Sequence, residues 1–186
     1  MRCSARSETV RVLRSLIPTL QIGEQVISPR DIAGPLSQVS PARLAGIARR
    51  VAAHPDRWRG LVRFEAAERW YVRLERGDEH EVWLLTWLAG QQTGFHDHGD
   101  SAGAFVVTGG CLTERAASGG RPEASGRKLR SGAIRSFGAR YVHDVRNDST
   151  EPAVSIHAYS PPLTSMRRFE VTEPGLLRAT DVDRSW

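Results

Sequence analysis

This 186-residue chain has almost no lysine, few sulfur-bearing residues and no long apolar run. Lys128 is its single lysine, and it holds two cysteines and two methionines. No apolar stretch approaches the ~20 residues of a membrane-spanning helix, so no membrane partner is expected. Cys3 and Cys111 are too few for a disulfide framework in a chain of this length, and their spacing matches no zinc site. Both are read as reduced thiols. The opening MRCSARSETV lacks the apolar core of a secretory signal, and the chain is read as cytoplasmic.

The positive charge is therefore nearly all arginine. Lys and Arg total 26 against 21 Asp and Glu, a formal charge of 26 − 21 = +5. A basic chain invites a nucleic-acid reading. Here acidic residues interrupt the arginines, as in ERWYVRLERGDEHE, and no helix-turn-helix segment is apparent, so no nucleic-acid partner is expected. An arginine beside an anionic substrate is the more economical use.

Hydrophobic residues make up 40% of the chain, enough for one core. The first third is helical in pattern. Val10, Leu13, Ile17 and Leu20 follow helical spacing across Ser7–Leu20, with Pro18 ending it early. Residues 22–37 hold Gly23, Pro29, Gly34 and Pro35 and read as a connector. Ser40-Pro41 then supplies a helix cap and a first-turn proline, Leu44, Ile47, Ala48 and Val51 form one apolar face, and His54-Pro55 stops it. From Arg69 the period changes to alternation. Strands are expected over 69–74, 81–88, 104–107, 133–137, 141–146, 154–159 and 167–171, with a Gly77-Asp78 hairpin turn and a polar loop over 117–128. The fold class is mainly β, an antiparallel barrel or sandwich. The division expected is a helical segment over 1–60 packed on a barrel over 61–175, then a polar tail over 176–186, in one monomeric domain.

The centre of the pattern is GQQTGFHDHGDSAGAFVVTGG, residues 90–110. On a strand, His96 and His98 face the same side and can converge on one ion, with metal–nitrogen bonds of roughly 2.1 Å. Asp97 points the other way and is read as orienting the loop. Ser155, His157 and Tyr159 also share a strand face, where a hydrogen-bonded Ser–His–Tyr row is reasonable. The same row could be a buried strand whose polar groups satisfy one another.

The histidine stretch resembles the first signature of the cupin superfamily: Gly90, His96, His98 and Gly110 fall in register, and Gly103 stands where that signature has Glu. The second signature is matched by Gly132, His143 and Asn147, with Gly138 and Arg140 at its Pro and Gly positions. The finer pattern resembles the cysteine dioxygenase family, in Trp87 to Ser101, in Tyr141 to Asn147, and above all in Ser155-Ile156-His157-Ala158-Tyr159-Ser160-Pro161-Pro162. The family's substrate-facing Y-x-R appears as Tyr71-Val72-Arg73. This resemblance implies a cupin-type β-barrel and Fe(II) held by His96, His98 and His143. It implies L-cysteine and dioxygen as substrates, Tyr159, His157 and Ser155 as the catalytic row, and Tyr71 and Arg73 at the substrate. Gly103 precludes the Cys–Tyr crosslink of the animal members, and Arg73, where 3-mercaptopropionate enzymes have Gln, favours cysteine.

Three imidazoles carry no charge, so the ion would keep its own and favour a thiolate, which metal coordination deprotonates. Imidazole also suits zinc, copper and nickel. A guanidinium suits a carboxylate through two parallel hydrogen bonds. Alternatives stay open: Arg73 in a salt bridge with Glu75 or Glu81, Tyr71 as ordinary core, a dioxygenase for 3-mercaptopropionate or another small thiol, and a non-catalytic metal-binding cupin sensor.

Overall fold

The structure, a computed structural model, describes residues 38–173 and 175–184. The expected helix over Ser7–Leu20 and the connector over 22–37 lie outside the described residues. Among the described residues, one helix, α1 (Pro41–Ala52), is followed by two short 3₁₀ turns and twelve strands. The strands are β1 (Tyr71–Arg76), β2 (Glu81–Trp87), β3 (Phe95–Asp97), β4 (Ala102–Gly109), β5 (Cys111–Ser118) and β6 (Arg121–Pro122). Then come β7 (Arg127–Arg130), β8 (Ile134–Phe137), β9 (His143–Arg146), β10 (Ala153–Ser160), β11 (Met166–Thr172) and β12 (Leu176–Asp183). Every ladder is antiparallel. One sheet runs β1-β2-β10-β4-β8; the other runs β12-β11-β3-β9-β5, with β6 and β7 both pairing with β5. This is the mainly β, cupin-type antiparallel architecture expected from the sequence.

α1 begins where the sequence says it should. Ser40 accepts a hydrogen bond from the Arg43 amide and Pro41 occupies the first turn. Its buried residues Leu44, Ile47, Ala48 and Val51 share a core with Val82 and Leu84 of β2, Ala104 and Val106 of β4, and Ile156 and Ala158 of β10. That covers the outer face of the first sheet. The alternate residues Trp83 and Trp87, Phe105 and Val107, and Tyr159 form a second core with Leu112, Leu129, Phe137 and Val145. Because the first sheet is covered on both faces, β2 is apolar almost throughout, as EVWLLTW shows.

Two boundaries differ from expectation. The polar stretch over 117–128 is not one loop: β5 extends into it, β6 folds back on β5, and β7 starts at its end. The tail from 176 is a strand, β12, paired with β11. Its residues are mostly exposed, so it lacks the apolar alternation that marks a half-buried strand. The Ser160–Pro161 peptide is cis.

Leu44 is fully buried between α1 and the sheet. Leu44→Ala is expected to destabilise the protein by about 2–5 kcal/mol, read from urea unfolding, while leaving metal binding intact, since this core lies on the other side of the sheet from the histidines.

Candidate metal centre

His96 lies on β3 and is the Cα partner of His143 on β9. His98 follows one residue beyond the end of β3. All three are buried, and each offers a ring nitrogen within 4.8 Å of the others'. Two of the rings are fixed by hydrogen bonds. His96 Nδ1 is 2.9 Å from the Gly94 carbonyl oxygen. A carbonyl only accepts, so Nδ1 carries the proton and Nε2 keeps the lone pair for a metal. His143 Nδ1 is 3.0 Å from Glu114 Oε1, which fixes the same tautomer. His98 Nδ1 is buried with no hydrogen-bond partner among the described residues. The donor set fits a divalent transition ion: three imidazoles out of water, two of them oriented by hydrogen bonds.

Glu114, on β5, was not singled out from the sequence. Its Oε2 accepts a 2.5 Å bond from Arg135 Nε, and Arg135 also reaches the Tyr141 hydroxyl at 3.4 Å. Burial pushes the Glu114 carboxyl up, but His143 and the Arg135 guanidinium outweigh it and hold it below its usual range. The signal was an acid two residues beyond Leu112, at an inward position of β5. Asp97 orients the histidine stretch as expected: it is buried, accepts from the Gly99 amide at 3.0 Å, and takes two contacts from Arg167 Nε at 2.9 and 3.2 Å.

The Ser–His–Tyr row forms on β10. Ser155 Oγ is 2.8 Å from His157 Nε2, and His157 Nδ1 is 3.1 Å from the Tyr159 hydroxyl. Trp87 Nε1, which only donates, reaches Ser155 Oγ at 2.9 Å. Donation in the order Trp87, Ser155, His157, Tyr159 satisfies every member and leaves the Tyr159 O–H free. Burial raises the Tyr159 pKa far above its usual value, so the phenol keeps its proton.

A cavity of about 110 Å³ is lined by His96, His98, His143, His157 and Tyr159. Such a volume suits a small ligand, well below the roughly 300–1,000 Å³ of drug-sized pockets. Trp83, Leu85, Val145, Leu163 and Met166 supply its apolar walls, and Tyr71 also lines it. Arg73 does not line the cavity; its guanidinium sits 5.3 Å from the Trp83 ring centroid and 3.8 Å from the buried Glu81 carboxylate. The arginines that line the cavity are Arg69 and Arg168. Arg168 lies 3.5 Å from Asp183, whereas Arg69 has no ion pair or hydrogen bond among the described residues and packs 4.6 Å above the Trp87 ring. Burial lowers the Arg69 pKa. Arg69, Tyr71 and Arg73 share one strand face by alternation, so parity alone admitted either arginine.

Burial, with neighbouring imidazoles adding to it and Arg69 adding at His96 and His157, holds His96, His98 and His157 well below the usual 6.5. Below pH 6.5 the unfolded chain takes up protons at these positions and the folded chain does not. The metal-free protein therefore has its full stability above that pH and loses it as pH falls, by roughly 1.4 kcal/mol per pH unit for each histidine. Urea midpoints at pH 7.5 and 5.5 measure this; a midpoint that holds at pH 5.5 contradicts neutral burial. Glu114→Gln removes the charge behind His143 and is expected to weaken Co(II) binding by about 10- to 100-fold, read by titration of the metal-free protein.

The family model described as cysteine dioxygenase type I matches residues 37–172. A curated cysteine dioxygenase type 1 from Danio rerio is 30% identical over 133 residues, which cover 63% of this chain and 64% of that protein, a little under two thirds of its length. Among solved structures, a Thermus thermophilus protein is similar at TM-score 0.49 and 21% identity, covering 56% of this chain and 93% of its own. A Klebsiella pneumoniae protein with a double-stranded β-helix domain aligns at TM-score 0.49 and 19% identity, covering 55% and 85%. An rmlc-like cupin protein from Desulfovibrio desulfuricans aligns at 0.47 and 18%, covering 55% and 91%. The family match runs unbroken from the start of the helix through both histidine-bearing strands and the Ser–His–Tyr row, and on that extent the chain belongs to the cysteine dioxygenase type I family.

Proposed function

We propose that the protein is a non-haem Fe(II) thiol dioxygenase that oxidises L-cysteine with dioxygen to cysteine sulfinate, both oxygen atoms passing to sulfur. The observation that carries this reading is one small cavity lined by three buried imidazoles and by Arg69, a guanidinium with no ion pair among the described residues. The family and the curated relative support thiol dioxygenase chemistry in general.

His96, His98 and His143 would hold the iron, which when bound supplies the redox chemistry that lets dioxygen react with a thiol. No carboxylate belongs to this ligand set, so the site favours an anionic sulfur. Arg69 then receives the substrate carboxylate through charge-assisted hydrogen bonds, and Trp87 beneath it holds the guanidinium plane. This reading transfers to Arg69 the role expected of Arg73, whose charge is already answered by Glu81. Tyr71 packs edge-on against Trp83 at 5.9 Å and closes the wall beside the substrate. The Tyr159 hydroxyl, its proton retained by burial, donates to the substrate atoms beside the histidines; His157 and Ser155 aim it. Apolar walls exclude water from the reacting sulfur.

Oxygen consumption by the iron-loaded protein, compared across L-cysteine, 3-mercaptopropionate and cysteamine, tests the proposal. One dioxygen per cysteine is expected. Cysteamine lacks the carboxylate and leaves the half-buried Arg69 guanidinium without its partner, so it should be a poor substrate. Arg69→Ala should lower kcat/KM for cysteine at least about thirtyfold, the result of removing about 2 kcal/mol or more from a buried charge pair. Arg73→Gln should stay within about twofold, as for a substitution outside the site. Equal turnover of cysteamine and cysteine would remove Arg69 from substrate binding. Binding of cysteine without oxygen uptake would turn the reading towards a sensor.

A further inference from the structure

His98 differs from the other two metal-site histidines in having no hydrogen bond behind it. Its Nδ1 is buried and unpartnered, whereas His96 has the Gly94 carbonyl and His143 has Glu114. A ring on a loop just past a strand end needs something else to fix its plane. The contacts present are aromatic. The His98 ring stacks on Phe137 at 5.4 Å between centroids and 22° between planes, and lies 4.7 Å from the Tyr159 ring at 33°.

Those two rings meet over a bare stretch of backbone. Gly103 on β4 is the Cα partner of Tyr159 on β10 and of Phe137 on β8. It is the middle residue of a three-strand row with an aromatic on each side. A Cβ at Gly103 would lie 2.5 Å from both Phe137 Cε2 and Cζ, and 3.0 Å from Tyr159 Cδ1. Its φ is not in the left-handed region, so the glycine is required by space and not by backbone conformation. Phe137 in turn packs on Tyr141 at 5.2 Å and 18°, which holds it from its outer side.

We propose that Phe137 is the positioning residue for His98, and that Gly103 is a glycine because the Phe137 ring occupies the place of its side chain. Aromatic stacking takes at His98 the part that a hydrogen-bond acceptor takes at His96 and His143. The Gly103–Phe137 pair thereby sets the plane of one metal ligand and packs against Tyr159. The inference rests on the metal reading of the three histidines, but not on which thiol is oxidised.

The test is Co(II) titration of the metal-free protein, with affinity and visible ligand-field absorption as readouts beside thermal melting. Phe137→Leu keeps an apolar side chain but loses the ring. It should bind Co(II) about threefold to tenfold more weakly, the scale of one aromatic pair, with an altered spectrum. Gly103→Ala should lower both melting temperature and affinity. The double variant separates packing from positioning, because Leu lacks the two ring atoms that a Cβ at 103 would strike. It should recover melting temperature over Gly103→Ala without recovering Co(II) affinity. Wild-type affinity and spectrum in Phe137→Leu, or full recovery of affinity in the double variant, would overturn the proposal. Failure of the metal reading itself would show differently, as no Co(II) binding by the unsubstituted protein, and would overturn both.

Discussion

Four imidazoles share the barrel interior, and a charge on His96, His98 or His157 has nowhere to be solvated. Burial keeps His96, His98 and His157 neutral, and a neutral imidazole must be told which nitrogen carries the proton. Much of the interior follows from that need. The Gly94 carbonyl and Glu114 decide it for His96 and His143. Ser155, itself held by Trp87, and Tyr159 bracket His157. His98 is held by ring faces alone. The anion Glu114 is tolerated because Arg135 answers it on the other oxygen. A metal adds its charge to a site whose lone pairs already point inward.

Charge is divided in the same way among the arginines. Glu81 is buried beside Tyr159 and meets Arg73, so that cation is not free for a ligand. Asp97 takes Arg167 and thereby holds the histidine strand against β11. Arg168 reaches Asp183 and the Thr93 carbonyl. Arg69 is left facing the cavity over an indole ring, with no carboxylate of the described residues beside it. A substrate carboxylate is the missing counter-charge in the functional reading proposed above.

The sequence made the histidines legible because strand alternation ties i and i+2 to one face, and because two partial cupin signatures bracket them at the right separation. The helix was legible from its cap and its four apolar positions, all of which are buried. Depth along a strand was not legible. Arg69 and Arg73 have the same parity, and what separates them is register: Arg73 lies across from Trp83 and next to Glu81, whose carboxylate captures it. Glu114 was missed because its partner His143 is 29 positions away in the chain. β12 was missed because neither of its faces is well buried, so selection for a core leaves no pattern in it.

The central claim is that three imidazoles of this cavity hold one iron that takes the substrate sulfur. X-ray absorption at the iron edge tests it most directly, on anaerobic protein loaded with ferrous iron and L-cysteine. The account predicts three imidazole nitrogens at roughly 2.1 Å and one sulfur at roughly 2.3 Å, with the imidazole count falling by one in His143→Ala. An iron shell without sulfur, or one unchanged by loss of His143, would contradict it.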